Sequence, residues 1–205
     1  MTLYLVTLLF AMPGCRAGLA RSPSRLAPAA VIRAAQASHD KQMWAHSRAG
    51  DSVEQRSCRK FVAEFYAWYL AKAKKGDPLQ AALRQRKACF SADLARKLAE
   101  DRAAASRSPN EIVGLDFDPV LNGQDFGEKY VPGAVTVKDG RYFVDVGCVF
   151  PGNKRESAAV TPVLRRVAGR WVFANFIYKS EGKVDDLISI LGRLKAERRK
   201  GSRGR

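Results

Sequence analysis

Histidine is scarce in this 205-residue chain: His39 and His46 are the only two, and none lies between Cys58 and Leu194. Imidazole is the usual general base, so its absence from that stretch argues against Ser-His, Cys-His and His-metal sites there. The chain also lacks a Cys-x-x-Cys pair, a phosphate loop and a G-x-G-x-x-G motif. These absences argue against a structural zinc site and against the common nucleotide-binding motifs. We therefore predict neither a metal nor a cofactor.

Long hydrophobic runs are also missing. The one apolar run near the N-terminus, Leu3–Met12, is too short for a membrane-spanning helix but has the length of a secretory signal core. It predicts an exported chain, periplasmic or membrane-anchored, with membrane association through the N-terminus. Lipid attachment at Cys15 is a weaker prediction, because Pro13 is unfavourable in a lipidation motif. No Lys or Arg precedes the run, and a true start at Met43 would instead leave the protein in the cytoplasm.

Negative charge is sparse, and the net charge is +16. Residues 1–60 carry +6, residues 61–192 carry +4 and residues 193–205 carry +6. The basic excess therefore falls mainly on the two ends, which is typical of solvated or membrane-facing tails. No predicted strand interleaves aromatic and basic residues as a single-strand binding platform does, so nucleic acid is an unlikely partner.

Composition divides the chain into four segments. Residues 1–20 form a signal-like apolar segment, residues 21–56 a basic flexible arm, residues 57–195 a folded domain and residues 196–205 a basic tail. With 46% apolar residues, the central part can bury a core.

Just after the start of the folded domain, aromatic residues recur at the spacing of a helix. Phe61, Phe65 and Trp68 predict a long helix with a broad aromatic face, ending near Gly76. Asp77-Pro78 predicts the start of a second helix and Ser91 the cap of a third. A C-terminal amphipathic helix is predicted from Val184, Leu187, Ile188, Leu191 and Leu194.

Period-two patterns predict a four-stranded antiparallel meander that forms one curved sheet. Asp139-Gly140 and Ala168-Gly169 are tight-turn signals between strands, and Pro162 predicts an edge position or a bulge. The predicted strands are Ala134–Lys138, Arg141–Phe150, Ala158–Val167 and Arg170–Tyr178. Together with the helices they predict an α+β fold in which N-terminal helices pack on the sheet.

Carboxylates and amides concentrate in residues 116–130, just before the sheet. Asp116, Asp118, Gln124 and Asp125 resemble a calcium loop at first sight, but the spacing places Val120 and Leu121 where an EF-hand needs a ligand and a glycine. The segment is either a polar loop or a contact point for a ligand or partner.

Two aspartates are weak catalytic candidates. Asp145 shares a strand face with Phe143 and Val149, where an apolar concavity would raise the pKa of a general base. Asp125 is the other candidate base. Tyr66 and Trp171 are expected in the core, with pocket lining as the alternative.

Cys58 and Cys89 could form a disulfide between the first helix and the junction of the next two, if the chain is exported. A reactive thiol and simple buried packing are the alternatives.

Several stretches resemble the bacterial family known as domain of unknown function 3828. They are Phe61–Leu70, the Gln124-Asp125-Phe126 triplet, Arg170–Phe173 and Asp186–Leu191. The resemblance implies a cone-like α+β fold similar to nuclear transport factor 2, in proteins that are exported and in some cases lipid-anchored. It supplies no catalytic residues.

Our leading functional hypothesis is a non-enzymatic binding module of the cell envelope. It would bind a partner protein or a small ligand through the concave sheet face and residues 116–130, where concave apolar sites are expected. One alternative is a small-molecule isomerase or hydrolase with an aspartate base, and another is an immunity protein against a secreted toxin. Assembly as a homodimer is left open.

Overall fold

The computed structural model describes residues 50–108, 113–150, 158–180 and 182–203. Within these ranges, three helices precede a five-stranded antiparallel sheet and one helix follows it, so the α+β class is confirmed. The helices are α1 (Val53–Ala73), α2 (Pro78–Gln85), α3 (Ala92–Arg107) and α4 (Leu187–Arg203), with a 3-10 turn at Lys87–Cys89. The strands are β1 (Lys129–Lys138), β2 (Arg141–Val149), β3 (Ala158–Val167), β4 (Arg170–Ser180) and β5 (Lys183–Asp186).

Side-chain caps fix the starts of the first three helices. Ser52 and Gln55 form a reciprocal capping box at α1. The Asp77 carboxylate accepts from the Gln80 backbone N–H, and the Ser91 hydroxyl accepts from the Leu94 N–H. Each cap satisfies a backbone donor that has no partner inside its helix. The predicted starts at Asp77 and Ser91 are thus confirmed.

The sheet is a simple meander with strand order β1-β2-β3-β4-β5. Asp139 and Gly140 join β1 to β2 with φ of 50° and 67°, and Ala168 and Gly169 join β3 to β4 with 47° and 76°. Two consecutive positive φ values match the twist of the flanking strands and make a two-residue hairpin. Both predicted tight turns are confirmed.

Pro162 lies in an interior strand, not at an edge. β3 pairs with β2 on one side and β4 on the other, and the β3–β4 register shifts between Val163 and Leu164, directly after the proline. Because proline has no N–H to donate, an irregular ladder at this point is the expected accommodation. The edge alternative is therefore wrong, whereas an irregularity beside the proline is present.

The fifth strand corrects the predicted count of four. β5 pairs with β4 through Lys179↔Val184 and Ser180↔Lys183. Val184, which the apolar pattern predicts in the C-terminal helix, instead lies in this edge strand, and the residue is 69% exposed. The helix starts at Leu187 instead, where Asp186 accepts from the Ser189 backbone N–H at 3.1 Å.

Aromatic side chains join α1 to the sheet. Phe65 and Phe173 have ring centroids 4.7 Å apart, and Phe61 lies 5.2 Å from the same ring. Along the edge strand, Gln55 donates to the Val135 carbonyl and Arg59 to the Gly133 carbonyl, each at 2.8 Å. Helix α1 therefore both covers the core and occupies hydrogen-bonding groups of the edge strand β1.

The predicted segment limits fall inside helices. Helix α1 begins at Val53, before the predicted domain start at 57, and Asp51 before it is buried against Arg59. Helix α4 continues to Arg203, so the predicted tail from residue 196 is largely helical. The predictions for residues 1–20, and for residues 21–49 of the predicted arm, lie outside the described residues. Among the helices of the described ranges, none has the length and apolarity to cross a bilayer.

Candidate functional site

Residues 116–128, which precede β1, form a fixed loop with an apolar interior. The Asp118 N–H donates to the Gly123 carbonyl at 3.1 Å, and the Asn122 N–H donates to the Asp118 carbonyl at 2.8 Å. Val120 and Leu121, between these groups, are buried in the core. The loop is therefore part of the hydrophobic core, with its carboxylates and amides around the outside.

Three tyrosine hydroxyls hold this loop at consecutive residues. Tyr69 donates to the Asp118 carboxylate, Tyr178 to the Pro119 carbonyl and Tyr66 to the Val120 carbonyl, each at 2.8 Å. Two of these tyrosines come from α1 and one from β4. The loop is thus fixed simultaneously to the helical layer and to the sheet.

Asp118 accepts three hydrogen bonds from within the protein. One oxygen accepts from the Val120 and Leu121 backbone N–H groups at 2.9 and 2.8 Å, and the other accepts from Tyr69. Burial raises the pKa of Asp118 above its ordinary value, although these hydrogen bonds partly oppose the effect. The same burial, with the Asp118 charge, raises the pKa of Tyr69 well above its usual range. Tyr69 therefore stays protonated and acts as the donor.

A groove of about 440 Å³ lies between this loop and helices α2 and α3. Its lining includes four aspartates, one arginine and the rings of Phe117 and Phe126. Asp116 is exposed there, and Phe126 has 39% of its surface exposed. The charged lining residues are Asp77, Asp101, Arg102, Asp116 and Asp118. Such a lining suits a ligand that has a positive charge and some apolar surface.

Two of these aspartates are engaged in structural contacts. Asp101 is buried, accepts from the Leu115 backbone N–H at 2.9 Å and pairs with Arg198 at 2.6 Å. Asp77 caps α2 and pairs with Arg102. Both oxygens of Asp118 also accept hydrogen bonds within the protein, so the exposed Asp116 carries the negative charge that is most available to a ligand. In the described ranges, no group of three or more His, Cys, Asp or Glu side chains is arranged to hold a metal ion.

A second groove, of about 580 Å³, lies between α1 and the start of β1. Tyr66, Leu70, Tyr130 and Pro132 contribute its apolar wall. Tyr66 is only 1% exposed and its hydroxyl is used inside the core. The residue is thus primarily a core tyrosine that also contributes to the groove wall.

The predicted site residues do not all come together. Asp116, Asp118 and Gln124 line the first groove, and the Gln124 side chain donates to the Asp116 carbonyl at 3.0 Å. Asp125 is exposed and lies outside that lining. Trp171 is buried, donates to the Ser57 hydroxyl at 3.0 Å and stacks under Arg166.

Asp145 lies on the face of the sheet opposite the core. Its neighbours Val144 and Val146 are buried in the core, so alternation directs Asp145 away from it. Its carboxylate accepts from the Thr161 hydroxyl at 3.0 Å. Asp145 therefore does not face the core, and its carboxylate has a structural partner in Thr161.

Cys58 and Cys89 are free thiols in the structure, so the predicted Cys58–Cys89 disulfide is not formed. The Phe90 ring, next to Cys89, lies 5.6 Å from the Phe65 ring, two helical turns beyond Cys58. Two turns of helix cover about 11 Å, whereas a disulfide joins Cα atoms within about 7 Å. Burial raises the pKa of Cys58 to about 12.

Sequence patterns missed two residues that shape the site. Tyr69, like Tyr66, is predicted to lie in the core or to line a pocket, but no pattern predicts its contact with Asp118, 49 residues away. Asp101 lies on α3 and pairs with Arg198 across 97 residues. The sequence offers one indirect indication of such a contact: a carboxylate on the buried face of a helix needs a partner, because an unpaired buried charge is costly.

No family model, no curated protein and no solved structure matches the chain. The resemblance to domain of unknown function 3828 stays a prediction.

Proposed function

We propose that this protein is a non-enzymatic binding module of the cell envelope, and that its ligand or partner occupies the groove beside residues 116–126. The observation that carries the proposal is the 440 Å³ groove, in which Asp116, Asp118, Gln124 and the exposed edge of Phe126 are brought together. Pockets of a few hundred cubic ångströms with mixed apolar and polar walls are the usual binding sites for small ligands.

The sequence also predicts the concave face of the sheet as part of the binding surface. On the side that α1 covers, Val144, Val146, Phe173 and Phe176 are buried together in the core. Side chains of the protein itself therefore occupy that face of the sheet. We propose the groove beside residues 116–126 as the binding surface instead. Export, and the role in the envelope, rest on the apolar run near the N-terminus.

The rigidity of the loop favours binding. The Tyr66, Tyr69 and Tyr178 hydroxyls hold three consecutive loop residues before any ligand arrives. A preorganised surface loses less conformational entropy on association than a mobile loop would. Asp116 on this framework supplies an exposed negative charge for a cationic group.

A fragment screen by NMR tests this proposal. Cationic, neutral and anionic fragments are added to the labelled full chain, and cationic fragments are expected to shift amide signals of residues 113–127. Asp116→Asn and Phe126→Ala should each weaken such binding by about tenfold, as expected for losing one good contact. Lys138→Gln, on the distant β1–β2 hairpin, is the matched control. The proposed site would be refuted if fragments shifted only amide signals outside residues 113–127, or if neither groove variant changed their affinity.

An enzymatic role is the second candidate, and Asp118 is the observation that favours it. Its raised pKa and its position in the groove lining are those of a general base, in place of Asp125 or Asp145. The Tyr69 hydroxyl would then hold the carboxylate in position while a substrate proton is removed. An isomerase or hydrolase activity that survives Asp118→Asn would exclude this role.

A further inference from the structure

The groove of about 580 Å³ between α1 and the start of β1 shares no lining residue with the acidic groove beside residues 116–126. Two contacts fix its direction. The Arg59 side chain donates to the Gly133 carbonyl at 2.8 Å, and further along α1 the Tyr66 and Tyr130 rings have centroids 5.7 Å apart. Higher residue numbers on the helix therefore lie beside lower numbers on the strand, and the groove follows both elements.

The two ends of this groove differ in charge. Along α1 its lining includes Arg56, Arg59, Lys60, Ala63, Ala67 and Leu70. The first three of these residues are basic and the last three are apolar. From Lys60 to Leu70 the helix rises about 15 Å. At the far end the chain contributes Glu128 and Lys129, one charge of each sign. The groove is thus basic at one end and apolar along most of its length.

Lys60 is the cation at the basic end that a ligand can reach. The Arg59 guanidinium is occupied by the buried Asp51 carboxylate, and Arg56 donates to the Asp51 backbone carbonyl. The Lys60 side chain is 78% exposed, and its ammonium has the Glu64 carboxylate 3.8 Å away. Because water solvates both groups of this pair, the pair is weak and can exchange for the anionic group of a ligand. One ammonium is sufficient to orient a monoanion.

The apolar wall is formed before any ligand arrives. Tyr66 and Tyr130 are only 1% and 7% exposed, so the core holds their rings in place. The Tyr66 hydroxyl donates to the Val120 carbonyl, which leaves ring carbons to line the groove. Ala63 and Ala67 are exposed, and their short side chains fill little of the space. An apolar tail in the groove would therefore remove apolar surface from water along its length.

We propose that this groove binds a single-chain amphiphile with an anionic head, of the fatty-acid class. The carboxylate pairs with Lys60, and the tail lies along Ala63 and Ala67 against the two tyrosine rings. Charge complementarity at one end and uncharged walls beyond it carry this choice of ligand. A peptide strand added to the edge of β1 fits less well, because the Gly133 and Val135 carbonyls already accept hydrogen bonds from α1 side chains.

NMR titration of the labelled full chain with decanoate, below its micelle-forming concentration, tests the proposal. Decanoate should shift amide signals of residues 59–70 and 129–131 in a saturable manner. Octanoate should bind about tenfold more weakly, on the basis of about threefold for each CH₂ that the groove covers. Decyltrimethylammonium has the same tail and the opposite charge. It should also bind about tenfold more weakly, because Lys60 then repels the head of the ligand instead of attracting it.

Ala67→Glu is the main groove variant, and Ala71→Glu is its matched control. Both positions are exposed on α1, one turn apart, and only Ala67 lines the groove. Ala67→Glu should weaken decanoate binding by about tenfold or more, because it places a carboxylate on the apolar wall. Ala71→Glu changes the net charge equally and should weaken binding by less than about twofold, as expected for a screened charge outside the site.

Lys60→Gln tests the position of the head. It should weaken decanoate binding by about threefold, as expected for the loss of one exposed ion pair, and should strengthen binding of decyltrimethylammonium by a similar factor. Lys75→Gln, which removes an exposed lysine outside the lining, should do neither. A second groove variant, Ala63→Glu, should repeat the loss that Ala67→Glu causes. Circular dichroism checks that all variants are folded.

Three results would overturn this site: equal losses in Ala67→Glu and Ala71→Glu, equal affinities for octanoate and decanoate, or shifts confined to residues outside the groove. If raising the protein concentration alone shifted the same signals, a second copy of the chain would be the occupant instead. Cationic fragments that shift residues 113–127 test the acidic groove separately, so either site can fail without the other.

Discussion

The Tyr69 hydroxyl donates to the Asp118 carboxylate at 2.8 Å, and this bond joins the aromatic helix to the loop that borders the acidic groove. Tyr69 is fully buried, whereas Asp118 lies at the boundary between core and groove. Hydrogen bonds to charged groups are stronger than those between neutral groups. The pair therefore both stabilises the fold and orients a carboxylate at the groove.

Tyr69→Phe should lower the free energy of unfolding by about 2 kcal/mol, because it removes a donor from a half-buried carboxylate. Tyr66→Phe and Tyr178→Phe remove comparable bonds to neutral carbonyls, and each should cost about 1 kcal/mol. Urea denaturation at neutral pH measures all three. Equal losses in the three variants would show that the Asp118 charge adds nothing to the bond.

Asp118→Asn should change how stability depends on pH. The pKa of Asp118 in the folded protein is raised above 3.8, so between 3.8 and the raised value the folded state binds more protons than the unfolded state. This group therefore makes the wild type less stable as pH rises through that window. The variant lacks this contribution, and its stability relative to the wild type should increase across the same window.

Urea denaturation over a pH series tests that difference, with Asp125→Asn as the control at an exposed position. An unchanged difference between Asp118→Asn and wild type at all pH values would mean that the pKa is not raised.

Arg198→Met should destabilise the protein by about 3 kcal/mol, because it leaves the buried Asp101 carboxylate without its charged partner. The control is Arg96→Met, which removes an exposed arginine from its pairs with Asp93 and Glu100 and should cost much less, because water screens these surface pairs. Thermal or urea unfolding compares the two. A similar small loss at both positions would mean that water solvates Asp101 in place of Arg198.

Gly127→Ala should destabilise the protein by about 2 kcal/mol through overpacking. A Cβ at this position would lie 2.2 Å from Cys148 Sγ and 2.7 Å from the Val149 carbonyl oxygen. Gly192→Ala is the matched control, because nothing lies within 4 Å of its added Cβ in helix α4. That change should stabilise by about 0.8 kcal/mol through helix propensity. Equal effects would contradict the close contact at Gly127.

Cys58 should resist alkylation in the native protein. Burial raises its pKa to about 12, so at pH 8 only about one thiol in ten thousand is ionised. Mass spectrometry after iodoacetamide treatment should find Cys58 unmodified, and unfolding in urea should expose it. A Cys58–Cys89 cross-linked peptide from the unreduced protein would contradict the free thiols seen here.

Local sequence determined the elements of this protein. Some features depend only on residues close together in the chain. They are the helix caps at Asp77 and Ser91, the aromatic face of α1 and the two hairpin turns with paired positive φ values. The alternation in β2 likewise places Val144 and Val146 on one face of the strand, and both are buried in the core. These features need no knowledge of distant parts of the chain.

Tertiary contacts decided the site. Asp118, Asp125 and Asp145 are equivalent as residue types, yet only Asp118 meets Tyr69 and borders the groove, whereas Asp145 meets Thr161 on the far face. Val120 and Leu121 are loop residues, yet both are buried in the core. Their burial is possible because the Tyr66 hydroxyl donates to the Val120 carbonyl and the Tyr178 hydroxyl donates to the Pro119 carbonyl. Burial of a polar segment depends on partners 54 and 59 residues away in the chain. No local pattern encodes such partners, and the environment of each carboxylate follows from the packing that brings them together.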